Sequence, residues 1–130
     1  MPDRFRIVWT RASIVDLDQI IDYVALDSGV DRALGLYEKI RDKIDSLSRL
    51  PRRGRIVPEL ESISVLEFRE ILMDRYRIIF RIDDKKVVLV GVFDGRRDLE
   101  AILVDRALRA AGAWQGFFGQ ERSIHLFGRT

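Results

Sequence analysis

Residues 75–82 alternate with a period of two. Tyr76, Ile78, Phe80 and Ile82 share one side of an extended chain, and Arg75, Arg77, Ile79 and Arg81 share the other. The first side reads as core and the second carries guanidinium groups. Residues 69–72 precede this run, and Met73-Asp74 interrupts the apolar pattern between the two, which suits a tight turn. After a second turn at Asp83-Asp84-Lys85, residues 87–93 are almost continuously apolar, the pattern of an inner strand buried on both faces. A chain with this block must build a sheet and then cover both sides of its inner strand.

The preceding half supplies helices for that purpose. Phe5, Ile7 and Trp9 alternate with Arg4, Arg6 and Val8, predicting a short first strand in which Trp9 belongs to the core. Thr10 is placed to cap a helix, and Ile14, Leu17, Ile21 and Val24, widened by Ile20, form its apolar stripe. That helix ends near Ser28-Gly29. A second follows from about residue 30 or 31 to 47, with Ala33, Leu36, Tyr37, Ile40, Ile44 and Leu47 on one side. The short connection predicts an antiparallel hairpin. Pro51 stops the second helix, and Arg52-Arg53-Gly54-Arg55 reads as an exposed basic loop. Strands are expected at about 64–72, 75–82 and 86–93, and a last helix over 98–108. The expected fold is α+β: an antiparallel-rich four-stranded sheet, an N-terminal helical hairpin on one face and a C-terminal helix, in the order β-α-α-β-β-β-α. Residues 1–109 form the domain. Residues 110–130, where Trp114, Phe117, Phe118 and Phe127 mix with glycines, are a tail with no clear period.

Composition sets limits on the chemistry. A chain of 130 residues, 47% hydrophobic and 34% charged, is suited to one small globular domain rather than to disorder. It has no cysteine, so disulfides and thiol chemistry are excluded, in keeping with a reducing cytoplasm. No signal peptide is expected at Met1-Pro2-Asp3-Arg4, and no apolar stretch is long enough to span a bilayer. The net charge of +2 is small, but its distribution is uneven. Acids gather at Asp16, Asp18, Asp22, Asp27 and Asp31, and arginines gather from Arg49 onward, a field that can steer an anionic partner to one face. Asp16 and Asp22 read as solvated helix surface. His125, the single histidine, lacks companions for a zinc site, and no metal or cofactor is expected.

Four local signatures resemble the RelE/ParE toxin superfamily of small bacterial plasmid-stabilisation toxins. In chain order they are Trp9-Thr10 with Ala12, Asp16-Leu17 and the run from Ile20 to Tyr23; Leu50-Pro51 with Gly54-Arg55 and Pro58-Glu59-Leu60; Arg69-Glu70 with Tyr76-Arg77-Ile78; and Val92-Phe93-Asp94-Gly95-Arg96-Arg97-Asp98. The Arg-Glu before Tyr-Arg-Ile and the closing Gly-Arg-Arg-Asp are similar to the ParE-like branch. There the resemblance implies a non-enzymatic toxin that binds DNA gyrase and is neutralised by a cognate antitoxin protein. The alternatives are a RelE-like, ribosome-dependent mRNA endoribonuclease and an inactive toxin-derived binding module.

In the RNase branch, Arg77 and Arg97 would contact substrate phosphate. Two departures count against that chemistry. Glu67 and Glu70 stand on the strand where the RNases carry basic residues, and Leu103 stands where a tyrosine or histidine would be wanted. The ParE-like pattern has its own departure, Asp94 in place of histidine. The residues expected to bind target or antitoxin are Arg69, Tyr76, Arg77, Arg96 and Arg97. The bland alternatives are a surface Arg77 paired with Glu67 or Glu70, and an Arg97 paired with Asp94 or Asp98. As a surface residue, Arg77 should tolerate alanine without loss of fold.

Overall fold

The computed structural model describes the backbone of residues 4–117 and the side chains of residues 4–110. A five-stranded sheet runs in the order β1-β5-β4-β3-β2. Its strands are β1 (Arg6–Trp9), β2 (Arg55–Ile56), β3 (Phe68–Met73), β4 (Tyr76–Asp83) and β5 (Lys86–Asp94). Only β1 and β5 pair in parallel. The helices are α1 (Arg11–Ser28), α2 (Val30–Asp45), the single turn α3 (Pro58–Glu61) and α4 (Glu100–Phe117). None of them is long and apolar enough to cross a membrane.

The two faces of the sheet have separate cores. The α1–α2 hairpin closes over Trp9, Tyr76, Ile78, Phe80 and Leu89, burying Leu17, Ile40 and Ile44 against them. On the opposite face, α3, α4 and the residue just ahead of α4 bring Leu60, Leu103, Ala107 and Leu99 onto Phe68, Ile79, Val90 and Phe93. The alternation of residues 76–82 therefore separates two interiors.

Gly29 joins the hairpin, ending α1 and starting α2 at φ 97°, a value that disfavours any side chain. Thr10 caps α1 as expected. Its Oγ1 accepts from the Ser13 amide (3.2 Å) and donates to the Leu89 carbonyl (2.8 Å), so one hydroxyl ties the helix start to the inner strand. Thr10→Ala should cost about 1–2 kcal/mol by urea denaturation, and Thr10→Ser should recover most of it. A loss equal in both variants would show that the hydroxyl contributes nothing.

The structure has one strand more than the four expected. β2 is only two residues long, Arg55 opposite Glu70 and Ile56 opposite Arg69, too short to show a period. Part of the basic loop is thus an edge strand, following a turn of 3-10 helix at Pro51–Arg53. The strand expected from residue 64 begins instead at Phe68. The residues before it finish α3: the Val65 amide donates to Leu60 and the Ser64 amide to Glu61, both at 2.9 Å, with Ser64 at φ 65°. This is the left-handed helix ending usually given to glycine.

One irregularity shapes the inner strand. Ile79 faces Gly91 while Phe80 faces Leu89, leaving Val90 as an extra residue in β5. Leu89 and Val92 consequently both reach the α1–α2 core, and Val90 and Phe93 both reach the α3–α4 core. Helix α4 continues to Phe117, beyond the 98–108 expected. His125 and the rest of the tail after Phe117 lie outside the described residues.

Candidate functional site

Arg77 is buried. The alternation of β4 aims its side chain at the α3–α4 face, diagonally across from Glu70 on β3. Its Nε donates to Glu70 Oε1, and its Nη1 and Nη2 fork onto the two oxygens of Glu59, all at 2.7 Å. The second oxygen of Glu70 accepts from Arg55 Nε at 2.6 Å. Glu70 has no exposed side-chain surface, and the Arg77 side chain is 11% exposed. Two carboxylates and two guanidinium groups thus form a self-neutral chain from α3 through β4 and β3 to β2. The hydrogen bonds from Arg77 hold the Glu59 carboxyl below the ordinary carboxylate range. The same bonds, with those to Glu70, raise the guanidinium above its usual value despite burial.

Arg77 therefore differs from the surface residue expected from its alternation. Its pairing with Glu70 agrees with one of the bland alternatives, whereas Glu67 is exposed. Glu59 was missed. It lies 18 residues before Arg77, and its only local signal is Pro58, whose fixed φ suits the first position of a helix.

The other four expected residues divide between two places. Arg69 Nη1 donates to the Gly54 carbonyl at 2.7 Å, which ties β3 to the turn ahead of β2. Tyr76 is buried on the hairpin face. Its hydroxyl accepts from Arg75 Nη2 at 3.1 Å, and the Arg75 guanidinium lies 5.2 Å from its ring centre. Arg96 is exposed and folds back on Asp94 through Nε (3.2 Å) and Nη2 (3.0 Å). Those bonds, opposed by partial burial and aided by Arg75 at 3.4 Å, lower the Asp94 carboxyl below its usual range. Arg97 is exposed, and its side chain makes no ion pair among the described residues.

Tyr76, Arg96 and Arg97 line one cleft of about 350 Å³ with Gln19, Ile20 and Tyr23 of α1, Arg75 and Asp94. A second groove meets it at Tyr23, Arg75 and Tyr76 and continues past Arg32, Leu36 and Lys39 of the hairpin. Arg75 and Arg96 both pair with Asp94 here, and Arg97 beside them makes no ion pair among the described residues. The other carboxylate of the lining, Asp16, is engaged by Arg106, and all lie beside an aromatic floor. Such a cleft can accept an acidic segment with apolar side chains.

Asp16 contradicts the solvated reading of its helix face. Where α1 crosses the bulge in β5, its Oδ2 accepts from the Val92 amide at 3.1 Å. Arg106 of α4 forks onto both carboxylate oxygens at 2.9 and 3.1 Å, and also donates to the Val90 carbonyl at 2.7 Å. The bulge gives these backbone groups side-chain partners, and no local spacing announces that. Asp22 is exposed, as expected, and Leu103 is core. Among the described residues, no group of three potential ligands is arranged to hold a metal.

Comparison with known proteins agrees with this architecture. A family model described as the ParE toxin of the type II toxin–antitoxin system parDE matches residues 7–99. Toxin ParE3 of Caulobacter vibrioides is 29% identical over 98 residues, which cover 75% of this chain and 94% of that protein. A chain of the chromosomal ParDE toxin–antitoxin system from P. aeruginosa superposes with a TM-score of 0.60 at 22% identity, over 70% of this chain and 96% of that one. A chain of the RelBE2 toxin–antitoxin complex from Mycobacterium tuberculosis gives 0.50 at 20% identity, over 71% and 92%. At those identities the likeness to the two solved structures is one of fold. With the family model spanning more than half of its length, the chain belongs to the ParE toxin family, within the RelE/ParE superfamily.

Proposed function

We propose that this chain is the toxin of a type II toxin–antitoxin pair and that the cleft at Tyr76, Arg96 and Arg97 is where it recognises its partners. A cognate antitoxin lays an acidic, apolar segment along the cleft and the adjoining groove. When free, the toxin acts by binding a cellular target such as DNA gyrase. The observation that carries this reading is the uneven use of arginine. Arg75 and Arg96 compete for Asp94, and Arg97 has no ion pair among the described residues, in an open cleft whose other carboxylate, Asp16, is taken by Arg106. Arg77, by contrast, is neutralised by two carboxylates. The mRNA-endonuclease alternative would require Arg77 to stabilise a phosphate, and each of its side-chain nitrogens already donates to Glu59 or Glu70.

Co-expression with the gene adjacent to this one tests the pairing. An antitoxin should co-purify with the chain, and Arg96→Glu with Arg97→Glu should weaken their association at least tenfold by calorimetry. Both positions are exposed, so the folded state should be retained. Undiminished affinity in the double variant would remove the cleft from the interface. The purified toxin should inhibit gyrase-dependent supercoiling. Unchanged supercoiling at a dose that arrests growth would overturn gyrase as the target.

A further inference from the structure

The opposite pole of the sheet carries a second concentration of positive charge, built differently. The β4–β5 turn, the start of β1 and the loop after α2 meet there. The Phe5 amide donates to the Ser48 carbonyl and the Arg6 amide to the Lys85 carbonyl, both at 2.8 Å. The Phe5 ring gathers two cations, with Arg52 and Lys85 each 5.7 Å from its centre. Arg53 donates to the Ser46 hydroxyl, which orients it. A shallow concavity between these elements is lined by Arg4, Arg49 and Arg53, with exposed Leu50 beside them.

The loop that presents these arginines is fixed. Pro51 is buried at its start, and Arg69 holds the Gly54 carbonyl. At Gly54 any side chain would meet the Phe80 ring at 2.8 Å and the Glu70 carbonyl oxygen at 2.9 Å, so the loop lies directly on the sheet.

Arginines without an ion pair occur elsewhere among the described residues, Arg97 among them, but here three fall within five positions of one loop. Arg55, Arg75, Arg77, Arg96, Arg106 and Arg109 each form an ion pair with a carboxylate. Among the described residues, Arg49, Arg52 and Arg53 form none. The acids in the neighbourhood are Asp45, in the wall of the concavity, and Asp83 and Asp84 on the turn, so positive charge is in excess. Three guanidinium groups without a carboxylate partner, close together on one loop held against the sheet, match a partner with repeated anions rather than one acidic side chain.

We propose that this pole binds the phosphate backbone of nucleic acid, without base readout, through Arg49, Arg52 and Arg53. It lies away from the cleft at Arg96 and Arg97, so a bound antitoxin segment and a nucleic-acid strand would occupy separate surfaces.

Each arginine that neutralises a phosphate releases counterions, so the dependence of affinity on salt counts the contacts. The experiment measures fluorescence anisotropy of a labelled DNA duplex with the full chain from 20 to 200 mM salt. Arg49→Gln, Arg52→Gln and Arg53→Gln together should flatten the slope of log K against log salt by about 2.7, some 0.9 per lost contact. A control carrying Arg11→Gln and Arg109→Gln should keep the wild-type slope. No binding by the wild type at 20 mM salt would overturn the proposal. So would a triple variant that is folded by circular dichroism and keeps the wild-type slope, or a control that flattens it as much per charge as the triple variant, since diffuse net charge would then be responsible.

Discussion

Arg77→Ala is expected to lower folding stability by about 3–5 kcal/mol, because it strands the buried Glu70 carboxylate with only Arg55 beside it. A small domain has a total stability of roughly 5–15 kcal/mol, so this one change should move the urea midpoint far toward zero. The cost comes mainly from the charge left behind. Removing both charges, as in Arg77→Met with Glu70→Leu, should recover much of the loss, since Glu59 and Arg55 are exposed enough to be hydrated. A double-mutant cycle by equilibrium unfolding measures that coupling. A loss below about 1 kcal/mol in Arg77→Ala would show that the network is not a stability element. The same network sets a pH dependence. Glu59 has a depressed pKa in the folded state, so its contribution is complete above the ordinary carboxylate value of 4.5 and is lost as pH falls through the folded value. Glu59→Gln should flatten the fall of stability in acid. Growth inhibition lost in Arg77→Ala would therefore report unfolding before it reported a missing contact.

The second large effect is expected at Arg106. Alanine there removes the fork onto Asp16, the bond to the Val90 carbonyl and the contact with the Phe93 ring, whose centre lies 5.0 Å from the guanidinium carbon. The pair is only partly buried, with side chains 20% and 12% exposed, so about 2–3 kcal/mol is reasonable. Asp16→Asn keeps an acceptor for the Val92 amide and should lose less. Hydrogen exchange at the Val92 amide gives a local readout, with protection dropping in Asp16→Ala. Stability within about 0.5 kcal/mol of wild type in both alanine variants would reduce the clamp to an ordinary surface ion pair.

The sequence was most readable where the signal is local to one element. The α1 and α2 stripes follow from spacing, the Thr10 cap from residue type and position, and the two-faced burial of β5 from an unbroken apolar run, all signals that each element carries within itself. The sheet's irregular features depend on distant partners. β2 exists because Arg55 and Ile56 pair with β3, and the bulge at Val90 interrupts an apolar run that has no alternation to disturb. The same division holds for the site. Alternation correctly assigned Arg77 to the face opposite Tyr76, but α3 and α4 cover that face, and an arginine whose partner lies 18 residues away looks solvated in the sequence. Arg96 and Arg97 were easier, because a Gly-Arg-Arg run at a strand end remains on the surface.

The parallel pairing of β1 with β5 has a consequence for the order of folding. The Thr10 hydroxyl and its acceptor at Leu89 are 79 residues apart, so the first strand made is among the last to find its place. The length-dependent part of closing such a loop costs about 4 kcal/mol, against well under half of that for a loop of a few residues. The α1–α2 hairpin needs no such closure and can assemble from neighbouring residues, as can β3, β4 and β5 through their two-residue turns. During synthesis, Trp9 therefore waits without its parallel neighbour until Leu89 has emerged, and docking of the amino-terminal strand is a late, whole-chain event.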